Sequence, residues 1–224
     1  MIIQAHSAVI AGALVGDTWV EISADLIRSV NKGVHSSPDQ IIDGTLIPGF
    51  IDIHCHGGGG KYFSSPTDGE IHSVIQTHRG HGTTSLLASL VSEPIETLKE
   101  QIVRLKPLHE SGQILGIHLE GPYLSHARCG AHDPQLLVTP DLAEIKELLE
   151  LADGAIKMIT IAPELPGAIE AIKYLSAAGV TVAIGHSDGA FVDAAAGTNA
   201  GARVVTHFMN GMNKSLTEGS FASF

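Results

Sequence analysis

The stretch Leu46-Ile47-Pro48-Gly49-Phe50-Ile51-Asp52-Ile53-His54-Cys55-His56-Gly57-Gly58-Gly59-Gly60 decides how the chain is read. Phe50 to Ile53 is a short apolar run with β-branched residues, so it is expected to be a buried strand, which the glycines end abruptly. Alternate side chains of a strand share a face. His54 and His56 should therefore project together from its C-terminal end, where two imidazoles can hold one metal ion. Cys55 points the other way and reads as core. The pair alone decides little, because a chain with 13 His in 224 residues contains about one His-x-His by chance.

Outward from this strand a β-then-α rhythm repeats. Strands are expected over 50–54, 83–90, 114–119, 157–162, 180–184 and 203–206. Helices are expected over 68–80, 94–109, 167–178 and 190–199, with one more capped by Thr139-Pro140-Asp141 and carrying Leu142, Ile145, Leu148 and Leu149 at helical spacing. Such alternation specifies a parallel sheet covered by helices. No Gly-x-Gly-x-x-Gly leads from the first strand into a helix, so a closed barrel is preferred over an open doubly wound sheet. Residues 1–45 differ. Short alternating pieces between Gly12, Gly16-Asp17, Asn31-Lys32-Gly33 and Ser36-Ser37-Pro38 read as small antiparallel strands. The expected organisation is a small β subdomain over 1–45 and a partial TIM-like (β/α) barrel over 46–224, with about six of eight βα units.

The polar residues strengthen the barrel reading. Strand one ends in His54 and His56, strand three in Glu120, strand five in His186 and strand six in His207. In a barrel these ends share the face where loops build the active site, and scattered core histidines have no reason to gather there. Imidazole plus carboxylate without thiolate suits zinc, iron, cobalt, manganese or nickel. Five donors exceed the four of a closed structural site, so one ion with open positions, or two ions sharing the carboxylate, is expected, and open positions imply catalysis. His118 lies two residues before Glu120 and reads as a group behind the ligands. Lys157 opens its strand, at the wrong end to join them. Glu164, in a proline-led loop, suits a cap. His72, His78, His81 and His109 fall on helices or helix ends and are expected to face solvent.

Net charge is −11 with no Lys/Arg cluster, which argues against nucleic acid and anionic membranes as partners. Cys55 and Cys129 are the only cysteines and show no paired spacing, so a reducing cytoplasm is the default. Met1 to Val15 carries no basic leader, and no run approaches the roughly 20 apolar residues of a spanning helix. A cytosolic chain is expected.

Six ordered motifs carry a resemblance. They are Pro48-Gly49-Phe50-Ile51-Asp52-Ile53-His54-Cys55-His56-Gly57, His118-Leu119-Glu120-Gly121-Pro122-Tyr123, Gly130-Ala131-His132, Thr160-Ile161-Ala162-Pro163-Glu164, Gly185-His186-Ser187 and Thr206-His207-Phe208-Met209-Asn210-Gly211-Met212. Over 46–212 the chain resembles the N-acetylglucosamine-6-phosphate deacetylase branch of the amidohydrolase superfamily. The resemblance implies a barrel with a small β domain, hydrolysis of the acetamide of a phosphorylated amino sugar, and a homodimer. It implies Glu120, His186 and His207 as principal metal ligands, and His54 and His56 as the pair used by members with a second ion. It also implies Ala131 and His132 at the sugar, and Asn210 and Gly211 as the pair whose backbone amides meet the phosphate. Independently, Gly211 lets backbone approach an anion closely.

The chain also departs from this family. No candidate stands for the family's strand-eight Asp, which protonates the departing amine; Asp188, beside His186, comes too early. Thr217-Glu218-Gly219 replaces the family's Arg before Glu-Pro-Gly, leaving Lys214 as the substitute phosphate partner to consider. A six-stranded parallel sheet cannot close at the eight-stranded diameter. The expectation is thus a truncated, split or frame-interrupted deacetylase. The other readings are an amidohydrolase acting on another N-acyl or cyclic amide substrate, and a non-catalytic metal-binding remnant.

Overall fold

The computed structural model describes residues 1–212. Lys214 and Thr217-Glu218-Gly219 lie outside them. The chain divides into two compact units, Met1–Phe50 and the chain from Ile51 onward.

In the first unit β1 (Ile2–Ile10), β2 (Ala13–Ser23), β3 (Leu26–Lys32) and β4 (Gln40–Leu46) form one sheet in the order β3-β2-β1-β4. The pieces expected as separate short strands are continuous. Moreover, β4 runs parallel to β1, so the sheet is mixed and not purely antiparallel. The connection across 33–39, which passes Ser36-Ser37-Pro38, carries the chain from the β3 edge to the opposite edge of the sheet, beside β1, where Asp39 Oδ2 accepts the Ile2 N–H at 2.6 Å.

The second unit contains β5 (Phe50–Cys55, whose first residue ends the first unit), the two-residue hairpin strands β6 (Gly57–Gly58) and β7 (Lys61–Tyr62), α1 (Asp68–Arg79), β8 (Thr83–Leu90), α2 (Ile95–Glu110) and β9 (Gly116–Glu120). It continues through α3 (Leu142–Ala152), β10 (Ile156–Ile161), α4 (Ala168–Ala177), β11 (Thr181–Ile184), α5 (Phe191–Ala200) and β12 (Val204–Val205). Local chemistry sets these elements. Asp68 and Glu70 sit in the first turn of α1 and His78 and Arg79 in its last, matching the helix dipole. Asp141 accepts from the N–H groups of Ala143 and Glu144 at the start of α3.

The sheet order is β5-β8-β9-β10-β11-β12, the same as the order in sequence, and the pairs from β8 to β12 are parallel. A doubly wound sheet would reverse direction at a switch point; one that never reverses keeps its helices on one face, as a barrel does. The apolar face of α2 (Leu98, Ile102 and Leu105) is wholly buried, each such side chain stabilising by about 1.5–3 kcal/mol. One expectation fails. Among the described residues β5 is an edge strand paired only with β8, and Phe50, Ile51 and Ile53 are exposed, because apolar composition reports a strand but not how many neighbours it has. No helix among the described residues is long and apolar enough to cross a membrane.

Candidate metal centre

Every group expected at the strand ends arrives in one place. His54 Nε2 and His56 Nε2 lie 3.2 and 2.8 Å from Glu120 Oε2, while His186 Nε2 and His207 Nε2 lie 3.1 and 2.9 Å from Oε1. Glu120 closes β9 and is 3% exposed. His186 and His207 each follow their strand by two residues with φ of +49° and +52°. That left-handed conformation is strained for a side chain and turns both rings inward.

The donor set fits a cation. His56 Nδ1 donates to the carbonyl of Ser89 at 3.2 Å and His186 Nδ1 to that of Arg128 at 2.8 Å. A carbonyl only accepts, so either ring, when it carries a single proton, holds it on Nδ1 and turns an Nε2 lone pair toward an ionised carboxylate. Two lone pairs facing each other repel unless positive charge lies between them. The 2.8–3.2 Å spacings are close to the roughly 3.3 Å that separates ligands around a tetrahedral ion with bonds near 2.05 Å. Two donor triads share the carboxylate, His54-His56-Glu120 and Glu120-His186-His207.

His132 differs from these rings. Its Nδ1 accepts the Ser92 N–H at 3.2 Å, which leaves the proton on Nε2, 3.5 Å from Glu120 Oε2. It faces the carboxylate as a donor. Burial alone would raise the Glu120 carboxyl, but the surrounding imidazoles, His132 first, then His186, His54 and His56, hold it far below the usual carboxylate range. Burial pushes His207 down and outweighs Glu120, whereas His186, which burial would also push down, is raised because the Glu120 carboxylate and the Arg128 carbonyl both favour its doubly protonated form.

The segment after β9 builds one wall. Gly121 turns with φ +85°, Tyr123 is fully buried with its hydroxyl on Glu144 at 2.8 Å, and Ser125 N–H donates to His186 O at 3.0 Å. Gly130, Ala131 and His132 thereby line a cavity of about 820 Å³ together with Val91, Asn210, Gly211 and the metal-facing groups. The N–H groups of Asn210 and Gly211 both donate to His207 O, at 2.8 and 2.9 Å. Both amides are engaged within the chain. Asp188 pairs with Arg128 at 2.8 Å outside this lining.

The residues set aside from the sequence sort themselves out. Glu164 accepts from Ser187 Oγ at 2.6 Å and Asp188 N at 2.7 Å, bracing the loop that carries His186. Lys157 is exposed at the opposite end of β10. His72 and His81 are exposed, but two histidines expected in solvent are half-buried. His78 Nε2 lies 3.0 Å from Cys55 Sγ, because α1 packs against the strand's reverse face, and His109 turns Nδ1 inward. Cys55 is core, its thiol pushed up to about 11 by burial and then by Asp52. His118 is fully buried, and burial pushes it down to about 3, with neighbouring His54 adding to the shift.

The model of the amidohydrolase family matches residues 45–220. An N-acetylglucosamine-6-phosphate deacetylase of Lysinibacillus sphaericus is 32% identical over 203 residues, covering 88% of this chain and 52% of the relative. An N-acetylgalactosamine-6-phosphate deacetylase of a Shewanella strain is 36% identical over 179 residues, covering 78% and 44%. The crystal structure of N-acetyl-D-glucosamine-6-phosphate deacetylase from Mycobacterium smegmatis superposes with a TM-score of 0.94 at 41% identity, over 99% of this chain and 60% of that one. The chain spans about half the length of the curated relatives it matches.

Proposed function

The chain belongs to the amidohydrolase family, and on that premise we propose that its chemistry is metal-dependent hydrolysis of the acetamide of N-acetylglucosamine 6-phosphate, giving glucosamine 6-phosphate and acetate. The relatives from Lysinibacillus sphaericus and Mycobacterium smegmatis are deacetylases of that phosphorylated amino sugar and support the reading. The observation that carries it is the set of four imidazole Nε2 atoms around buried Glu120, at the end of a cavity large enough for a sugar phosphate.

His54, His56, Glu120, His186 and His207 would hold one or two divalent ions, zinc before iron, cobalt, manganese or nickel. Such an ion supplies Lewis acidity toward an amide carbonyl and lowers the pKa of water. Glu120, held ionised by its neighbours, contributes charge without taking up a proton. His132 keeps a proton on Nε2 at the cavity wall, beside Ala131, and suits donation to the acetamide oxygen as charge develops there. Asn210 and Gly211 suit the phosphate end, where an anion has to share or displace the bonds their amides make to His207 O. The departing amine needs a proton. Among the described residues, Glu120 is the only carboxylate in the cavity lining, so these residues account for binding and polarisation but not for that step. The setting of the reading is a cytoplasmic homodimer.

A second substrate, N-acetylgalactosamine 6-phosphate, is favoured by the Shewanella relative. The test is acetate release by the zinc-loaded chain from both phosphorylated sugars and from unphosphorylated N-acetylglucosamine. Release from N-acetylglucosamine 6-phosphate alone supports the proposal, and preference for its epimer moves the substrate. Equal release from the unphosphorylated sugar defeats phosphate recognition. Bound metal without any turnover identifies a non-catalytic metal-binding chain.

A further inference from the structure

Behind the metal-facing groups runs a second layer of polar side chains that lines no part of the cavity. Ser89, His118, Thr160 and Thr206 are all buried, the most exposed at 4%. The Cys55 N–H donates to Ser89 Oγ at 3.0 Å, and Ser89 Oγ lies 2.9 Å from His118 Nδ1. His118 Nε2 lies 2.8 Å from Thr160 Oγ1, which lies 3.0 Å from Thr206 Oγ1. The chain crosses the sheet from β5 through β8, β9 and β10 to the residue after β12. We propose that His118 is a positioning residue, the centre of a buried hydrogen-bond chain that sets the His54–His56 pair and His207 at one separation around Glu120. This rests on the metal-centre reading above and extends it to groups that touch neither ion nor substrate.

Both ends of the chain abut ligands. Cys55 stands between His54 and His56, and Thr206 immediately precedes His207. Ser89 holds the first end twice, by its hydroxyl to Cys55 N–H and by its carbonyl to His56 Nδ1–H. The His118 ring also packs edge-on against His54, with centroids 4.7 Å apart at 78°. The proton order follows from counting. Cys55 N–H can only donate to Ser89 Oγ, so the buried Ser89 hydroxyl proton has His118 Nδ1 as its acceptor; Nε2–H then donates to Thr160, and Thr160 to Thr206. An imidazole offers two nitrogens on opposite sides of a rigid ring and so ties β8 to β10 through β9. The amide of an Asn or Gln reaches one of those neighbours. A core histidine serving only the fold would fill the same volume, but its loss would not change how the ligands meet a metal.

The test uses the whole chain with cobalt(II) as the probe, since its visible spectrum reports ligand geometry apart from any turnover. Affinity is read by competition with a chelator, and folding by circular dichroism. Thr160→Val removes the central link while keeping shape, and it is expected to weaken cobalt binding by about 10–100-fold and to alter the spectrum. Thr160→Ser, which restores the hydroxyl, should return both to wild type. A folded Thr160→Val with wild-type affinity and spectrum overturns the inference. If Thr160→Val does not fold, Ser89→Ala at the other end decides on the same two readouts, loss supporting and no change refuting. Failure of the wild-type chain to take up cobalt sinks the metal centre itself, a distinct result.

Discussion

The carbonyl of Ser89 accepts the Nδ1–H of His56 at 3.2 Å, and this one bond decides what His56 offers the site. It leaves the Nε2 lone pair 2.8 Å from Glu120, an arrangement that His186 repeats through Arg128. Divalent metal should relieve that repulsion and stabilise the fold. At zinc about 1,000-fold above Kd, mass action contributes about 4 kcal/mol, or about 8–16 °C in Tm for a chain of this size. Calorimetry of chelator-stripped protein with and without zinc measures it. An unchanged Tm contradicts the centre.

His186 is pinned at both ring nitrogens, by Glu120 and by Arg128 O. His186→Ala deletes a donor from the Glu120-His186-His207 triad and is expected to abolish uptake at stoichiometric zinc. Elemental analysis after gel filtration reads this directly, and full zinc content would refute the assignment.

Glu164 lies outside the centre yet grips its loop, taking Ser187 Oγ and Asp188 N at 2.6 and 2.7 Å. Glu164→Ala should cost about 1–3 kcal/mol, because both donors lose a charged acceptor. Glu164→Gln keeps one acceptor oxygen and should lose less. Urea unfolding of the two variants ranks them; equal losses would show that charge, not the paired bonds, carries the effect.

Much of this arrangement was legible in the sequence. The βα spacing and the polar ends of the strands depend on local periodicity and on which end of a strand a residue occupies, so His54, His56, Glu120, His186 and His207 could be placed together. What stayed hidden depends on register between strands. Nothing near His118 says that Ser89 and Thr160 stand opposite it, and nothing in the glycine run says that His78 meets Cys55. The parallel return of β4 and the exposure of β5 likewise follow from neighbours, which composition does not report.

Gly121 follows Glu120 with φ +85°, and a Cβ there would run into Ser92 Oγ and crowd the Leu124 side chain at 3.0 Å. Gly121→Ala combines left-handed strain with overpacking, together about 2–5 kcal/mol. It should also disturb Glu120 enough to weaken zinc binding. A thermal melt near wild type would mean that the turn relaxes at little cost.

His118 gives the stability of the metal-free protein a definite pH dependence. Its folded pKa is pushed down to about 3 by burial and then by His54, from an ordinary value of 6.5. Between those values the unfolded chain holds the extra proton, so acid favours unfolding. The sign is therefore loss on acidification. There is no contribution well above pH 6.5, and below it the loss approaches about 1.4 kcal/mol per pH unit until about pH 3. Other histidines titrate in the same range, so the informative quantity is a difference. His118→Phe removes this group, and the gap in stability between wild type and variant should shift steadily in favour of the variant from pH 7 to pH 5. Denaturant unfolding at half-unit intervals in the presence of chelator measures that gap. A gap independent of pH would mean that the imidazole at this position is protonated equally in both states, which its full burial between Ser89 and Thr160 does not permit.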